Sequence, residues 1–307
     1  MNRKIHFKSL LCGIVLGLVL AGTGVYAAIM YQSSDVGYDN SNSGLTSQNV
    51  KDAIDELYEQ QHPPLDFATA SWSDIANASQ EELQAIMEAG TTKDVDLGSL
   101  GVHPVRIANV STPSECNGSG FSQTACGLVI EFADIITTHR MNPYNADVTT
   151  SGNGNIGGWP ASEMRTYVNS DIYNALPTDL KSAIINTTVI SGYGSKDSSN
   201  FTSTDKLYLL STHEVYEDVD GNTSSGIDYL DKAYNNTRQL DYYSSQNVTT
   251  SNYSGANKQN NGSNSSWWLR SAYSNNYYSF YYAYLYGNLF STNSTQTYGV
   301  SPAFRIG

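Results

Sequence analysis

Basic residues are scarce in this 307-residue chain, 16 Lys and Arg against 29 Asp and Glu, and the resulting net charge of −13 excludes nucleic acid as the main partner. A phosphate backbone needs a basic face that this composition cannot supply. Charge of either sign is thin, 15% of positions, so the surface is mostly neutral and polar. Histidine is scarce as well. His6, His62, His103, His139 and His213 are scattered with no helical i, i+4 pair, and His213-Glu214 lacks the second His of a zinc protease motif. It reads as a polar strand end. Phenylalanine occurs 8 times against 23 tyrosines. Tyrosine amid abundant Asn and Ser is the mixture binding surfaces use, because its ring gives large contact area at low entropic cost.

Only three cysteines occur, and Cys12 lies in an apolar run near the N-terminus. Cys116 and Cys126 bracket a turn-rich segment that can fold back and let them pair, a closure worth about 2–3 kcal/mol. The competing reading, a metal site, lacks nearby His ligands, and no metal or other cofactor is expected. Two further motifs fail. The run from Gly152 to Gly158 has no buried strand before it and no Lys-Ser/Thr after it, so it reads as a loop. Asp218-Val-Asp-Gly-Asn-Thr223 lacks the closing Glu of a calcium loop. No convincing enzyme emerges, and no catalytic residue is assigned.

What is present begins with a leader at 1–30. Arg3, Lys4 and Lys8 precede the apolar run Leu10 to Ala21, and Val25-Tyr-Ala27 fits a signal-peptidase site. The span Leu10 to Met30 also fits an uncleaved membrane anchor. Both readings export the chain to the cell surface or beyond, with membrane contact only through this segment. Residues 31–64 read as a stalk in which Val50, Ala53, Ile54 and Leu57 share one helical face, a short helix that packs on the body or self-associates into a homo-oligomer. His62-Pro63-Pro64 ends it. The body, 65–307, shows helix patterns over Ser73–Ala89, Glu163–Leu176 and Pro177–Ile185, and strand patterns over Val102–Ile107, Leu128–Phe132 and Lys206–Ser211. Tyr-rich short strands follow. Helices and strands do not alternate regularly, so the class is α+β.

The C-terminal stretch has its own texture. After Asp241 the remaining 66 residues contain no Asp or Glu, which leaves no acids there for a catalytic cluster. Trp267-Trp-Leu-Arg-Ser271 and Gly299-Val-Ser-Pro-Ala-Phe-Arg-Ile306 look like framework: Trp267, Trp268, Leu269, Phe304 and Ile306 buried, Arg270 and Arg305 paired with acids elsewhere. Between them Tyr282, Tyr284 and Tyr286 alternate with the smaller Ala283 and Leu285, which places tyrosine on the outer face of one strand.

These residues resemble the variable domain of proteins diversified by retroelements, which has a C-type lectin-like fold. The Trp-Trp-Leu-Arg-Ser and Gly-Val-x-Pro-Ala-Phe-Arg-Ile segments correspond to its fixed scaffold, with the variable region at about 267–307. More broadly, Gly158-Trp-Pro-Ala-Ser-Glu-Met-Arg165, Leu176-Pro, Thr204-Asp-Lys and Leu240-Asp-Tyr-Tyr243 resemble a bacterial domain family of unassigned function with the same ending, over roughly 65–307. The fold is distantly that of formylglycine-generating enzymes, whose copper-binding cysteines have no counterpart after Cys126. Such retroelements randomise adenines, and mutated Asn codons cannot reach Lys, Glu, Gln, Met or Trp. In Ser271 to Tyr298 only Gln296 lies outside the reachable set. The resemblance implies an extracellular binder of protein or glycan ligands on other cells or phage; the alternative is an undiversified cell-wall or carbohydrate-binding module whose tyrosines stack on sugars. Its contact set is expected at Tyr273, Tyr277, Tyr278, Tyr281, Tyr282, Tyr284, Tyr286, Asn288, Phe290 and Tyr298.

Overall fold

A computed structural model describes residues 35–61, 64–147, 153–219 and 231–307. The leader, most of the Asp218–Thr223 segment and His62-Pro63 lie outside them. Among the described residues no helix is long and apolar enough to cross a membrane. Two units divide at Pro64.

In the first unit, Asn49 caps the helix Val50–Gln61 by accepting from the Asp52 amide at 2.8 Å. The preceding chain folds back, with a bridge between Gly37 and Asn49, and the Glu56 carboxylate accepts from the amides of Thr46 (2.8 Å) and Ser47 (2.9 Å). Ala53 is buried, as is Leu45, but Ile54, Leu57 and Tyr58 stand open. The expected apolar face therefore forms and is only partly covered.

The second unit is α+β and is built on two mainly antiparallel sheets. One has the order β1-β2-β3-β13: β1 Thr92–Asp96, β2 Val102–Asn109, β3 Val129–Phe132 and β13 Ala303–Arg305. The other runs β11-β10-β9-β12-β4: β4 Thr137–Arg140, β9 Trp267–Ala272, β10 Ser279–Ala283, β11 Leu289–Asn293 and β12 Thr297–Val300. Within it β9 and β12 are parallel. Two hairpins, β5 Thr187–Ser191 with β6 Phe201–Asp205 and β7 Lys258–Asn260 with β8 Ser263–Ser265, stand apart. The core joins both sheets to the helices and includes Trp72, Ile107, Phe132, Trp159, Leu209, Trp267 and Phe304. Phe304 meets Trp72 and Phe132 edge-on at 6.3 and 6.2 Å.

Several element boundaries differ from the expectations. The helix expected over Ser73–Ala89 is two, Trp72–Asn77 and Gln80–Glu88. Ser79 and Glu82 form a capping box that starts the second, so Ala78 is extended. The helix expected over Glu163–Leu176 carries a π segment, Val168–Ile172. Lys206–Ser211 is not a strand of either sheet. Leu207 to Leu210 are wholly buried and Tyr208 makes a lone bridge to Ala303, so its apolar character reflects core burial. His213-Glu214 is not a strand end but lies in the short helix Thr212–Val215, because Ser211 and Glu214 close another capping box.

Candidate functional site

The framework comes first, because it holds the site. In β9 every side chain from Trp267 to Ala272 is buried. Trp267 donates through Nε1 to the Ala256 carbonyl at 3.0 Å, and Trp268 to that of His139 at 2.9 Å. Arg270 is wholly buried and pairs through both terminal nitrogens with Glu214, which also accepts from Thr124, from Thr237 at 2.9 Å and from the Ser211 amide at 2.9 Å. Burial pushes the Glu214 carboxyl up, but the Arg270 charge outweighs it and holds the group below the usual carboxylate range. Arg270 thus has the partner the sequence implied. Arg305 has none: among the described residues no carboxylate pairs with it, and its Nε has no hydrogen-bond partner.

The other framework motifs end in the same way. Trp159 Nε1 (2.9 Å) and Arg165 Nε (2.6 Å) both donate to Asp205, which joins the segment around Gly158–Arg165 to Thr204-Asp-Lys. Asp241 accepts from the amides of Val110 (2.9 Å) and Ser111 (2.8 Å) and from Arg238 (2.7 Å). Tyr243 donates to Glu131 at 2.9 Å, and Glu131 is buried between Arg106 and Lys258, each at 2.8 Å. The disulfide Cys116–Cys126 spans 5.8 Å between Cα atoms.

On this base lies a band of aromatic rings. Register sets Tyr282 opposite both Trp268 and Phe290. Tyr282 stacks on Tyr298 with 4.7 Å between centroids and an interplanar angle of 23°, over the edge of Trp268. Phe290 lies 6.3 Å from Tyr282 and 5.8 Å from Tyr284, which meets Tyr286 at 5.9 Å. At the other sheet edge His139 sits opposite Tyr298 in register and stacks on Tyr167 at 4.2 Å. Partial burial and the neighbouring Tyr298 push the Tyr282 phenol up to about 12, so its ring stays neutral. The band is aromatic and hydroxyl-bearing, presenting apolar ring faces beside phenol groups that can donate and accept hydrogen bonds.

The expected contact residues fall into three groups. Tyr282, Tyr284, Tyr286, Phe290 and Tyr298 form the band, and Asn288 adjoins it by accepting through its carbonyl from the Tyr284 amide at 2.7 Å. Tyr273, Tyr277 and Tyr278 lie where the chain enters β10. Tyr281 is corrected: it is 1% exposed and packs edge-on against Tyr273, so it belongs to the core. The expected straight strand through Tyr286 also stops short. β10 ends at Ala283 and Gly287, at φ +90°, closes a turn whose Cβ position would lie 2.0 Å from the Tyr253 carbonyl oxygen. His139 and Tyr167 were missed, since neither carries a local signal that it joins a sheet face made mostly by residues far along the chain.

A hollow of about 290 Å³ opens where the 143–146 and 153–154 segments meet the turns at 277–278 and 293–295. Gly154, at φ +60°, builds its wall: a Cβ there would lie 2.2 Å from the Tyr277 carbonyl oxygen. The Asn155 side chain donates through Nδ2 to the carbonyls of Tyr273, Asn276 and Ser279 at 3.1, 3.0 and 2.8 Å. Among the described residues no cluster of three or more His, Cys, Asp and Glu is placed to hold a metal ion.

No curated protein and no solved structure matches the chain. The family described as a domain of unknown function (DUF6273) matches residues 134–307, more than half of the sequence, and so takes in the whole five-stranded sheet and its aromatic band. The match begins between β3 and β4, inside the second unit, so the first three strands of the other sheet precede it. By this match the chain belongs to the DUF6273 family.

Proposed function

We propose that this chain is an exported, surface-displayed binding protein without catalytic activity. Its C-terminal unit would be a C-type lectin-like domain whose Tyr-rich face is diversified by a retroelement to take varied protein or glycan ligands. The observation that carries the reading is the aromatic band itself. Its half-exposed and exposed rings occupy β10, β11, the turn between them and the start of β12, while β9 between β10 and β12, and β13 at the end, are rooted in the core. Side chains can therefore change in the band without changing the framework. The ionisable clusters support a non-catalytic reading in their own way: the side chains of Glu131, Glu214 and Asp205 are closed inside the protein, where no substrate reaches them. The open Ile54, Leu57 and Tyr58 suit self-association of the helical segment in the displayed form.

The test is to sequence the DNA around the 3′ end of the gene. A near-copy of the segment encoding the band, with mismatches confined to template adenines beside a reverse-transcriptase gene, is the expected result. Its absence from the whole genome would remove diversification and leave a fixed binding face.

A further inference from the structure

We infer that the β10–β11 end of the aromatic band is a docking point for an arginine side chain of a basic protein partner. The inference deepens the binding reading above and rests on it. Tyr284 stands close to right angles with its neighbours there, at 88° to Phe290 and 75° to Tyr286. The arrangement leaves ring surface open, 61% exposed at Tyr286 and 40% at Phe290. An open ring face is the negative side of the π quadrupole, so it attracts a cation as well as apolar groups.

The chain puts no cation of its own on these rings, although it uses that contact elsewhere. Among the described residues Lys93 lies over Trp72, Arg106 over Tyr242 and Tyr243, Lys196 over Tyr277 and Lys258 over Trp267, and none lies over a ring of the band. The faces that a cation could cover are thus left for one from outside.

Charge around the turn favours the same ligand. The Tyr216 hydroxyl donates to the Gly287 carbonyl at 2.5 Å, and the next two residues, Glu217 and Asp218, are exposed acids. Asp218 accepts from the amide and hydroxyl of Thr250 at 2.7 and 2.6 Å, in the loop whose Tyr253 carbonyl packs against Gly287. Both contacts of the turn with the body therefore lead to acidic chain. The exposed cation of the sheet, Arg140, is paired with Glu163 on β4, four strand spacings from β11. That is roughly 19 Å at ~4.8 Å each, more than two screening lengths of about 8 Å, so it does not repel a cation at the turn. The net charge of −13 adds a long-range pull on a basic partner. Arginine suits the rings better than lysine, because its planar guanidinium is weakly hydrated and stacks on aromatic faces.

The experiment is an NMR titration of the full chain with the peptide acetyl-Gly-Arg-Gly-Arg-Gly-amide and with its citrulline counterpart, which keeps the shape and loses the charge. Saturable shifts are expected with the arginine peptide, and binding about fivefold weaker or less with citrulline. Phe290→Ser and Tyr286→Ser keep the net charge and should each weaken the arginine peptide by about threefold or more, with Tm unchanged. No saturable shift, or equal binding of the two peptides, overturns the arginine site. Equal binding by the parent and Phe290→Ser overturns it as well, since net charge alone then holds the peptide. So does tighter binding of tetramethylammonium or of methyl glycosides, which assigns the rings to a quaternary ammonium group or a glycan. In any of these events, capture of target cells that is lost in Phe290→Ser leaves the broader binding reading standing, whereas capture indifferent to Phe290→Ser overturns both.

Discussion

Tyr281 and Phe290 lie within ten residues of each other and have opposite surroundings, 1% against 40% exposed. Tyr281→Ala removes a buried ring and should cost about 3 kcal/mol or more, read as a lower urea midpoint. Tyr286→Ser and Phe290→Ser should each stay within about 0.5 kcal/mol of the parent. If the band positions proved as costly as Tyr281, they would be core residues, and a diversified face could not be built from them. Gly154 is also tightly constrained. Its φ of +60° and the 2.2 Å that would separate an added Cβ from the Tyr277 carbonyl oxygen leave no room for Gly154→Ala, which should lower stability by about 2 kcal/mol and disturb the Tyr277–Tyr278 turn.

Among the elements, β9 and the neighbouring buried carboxylates set the acid limit of the fold. Burial opposes ionisation of Glu131 and Glu214, yet Arg106 with Lys258 and Arg270 hold both below their ordinary value of 4.5. A folded-state value below the unfolded one stabilises fully above pH 4.5 and is lost as pH falls through the folded value. The thermal midpoint should therefore hold near neutral pH and drop below pH 4.5, and Arg270→Met should shift this drop upward by leaving Glu214 buried and unpaired. Much of this was readable beforehand. Trp267 to Arg270 announce a buried strand by their apolar run, and the need of Arg270 for an acid follows from burial alone. Which acid could not be read, because Glu214 lies 56 positions away and reaches Arg270 only through the fold. The break at Ala78–Ser79 is legible in the Ser-x-x-Glu spacing, although the apolar pattern continues on both sides of it. The aromatic band is visible as tyrosine alternation, but its extension to His139 depends on cross-strand register, and that to Tyr167 on the helix Glu163–Tyr167 packing beside β4.

For the whole molecule, the boundary of the family match is not a folding boundary. β13 pairs with β3, Lys258 needs Glu131, and Tyr242 and Tyr243 meet Arg106, all across residue 134. A fragment of 134–307 should be expressed without a cooperative unfolding transition, whereas 65–307 should show one by circular dichroism and calorimetry.

The pairing of β13 with β3 has a consequence for any product of an altered gene. Phe304 reaches Trp72 and Phe132 only when the ribosome has read through the whole tyrosine segment in frame. A chain that stops or shifts frame before Ala303 leaves the first sheet unfinished and its core open to proteases. Completion of the last strand thus works as a check that translation has reached the end of the domain in frame.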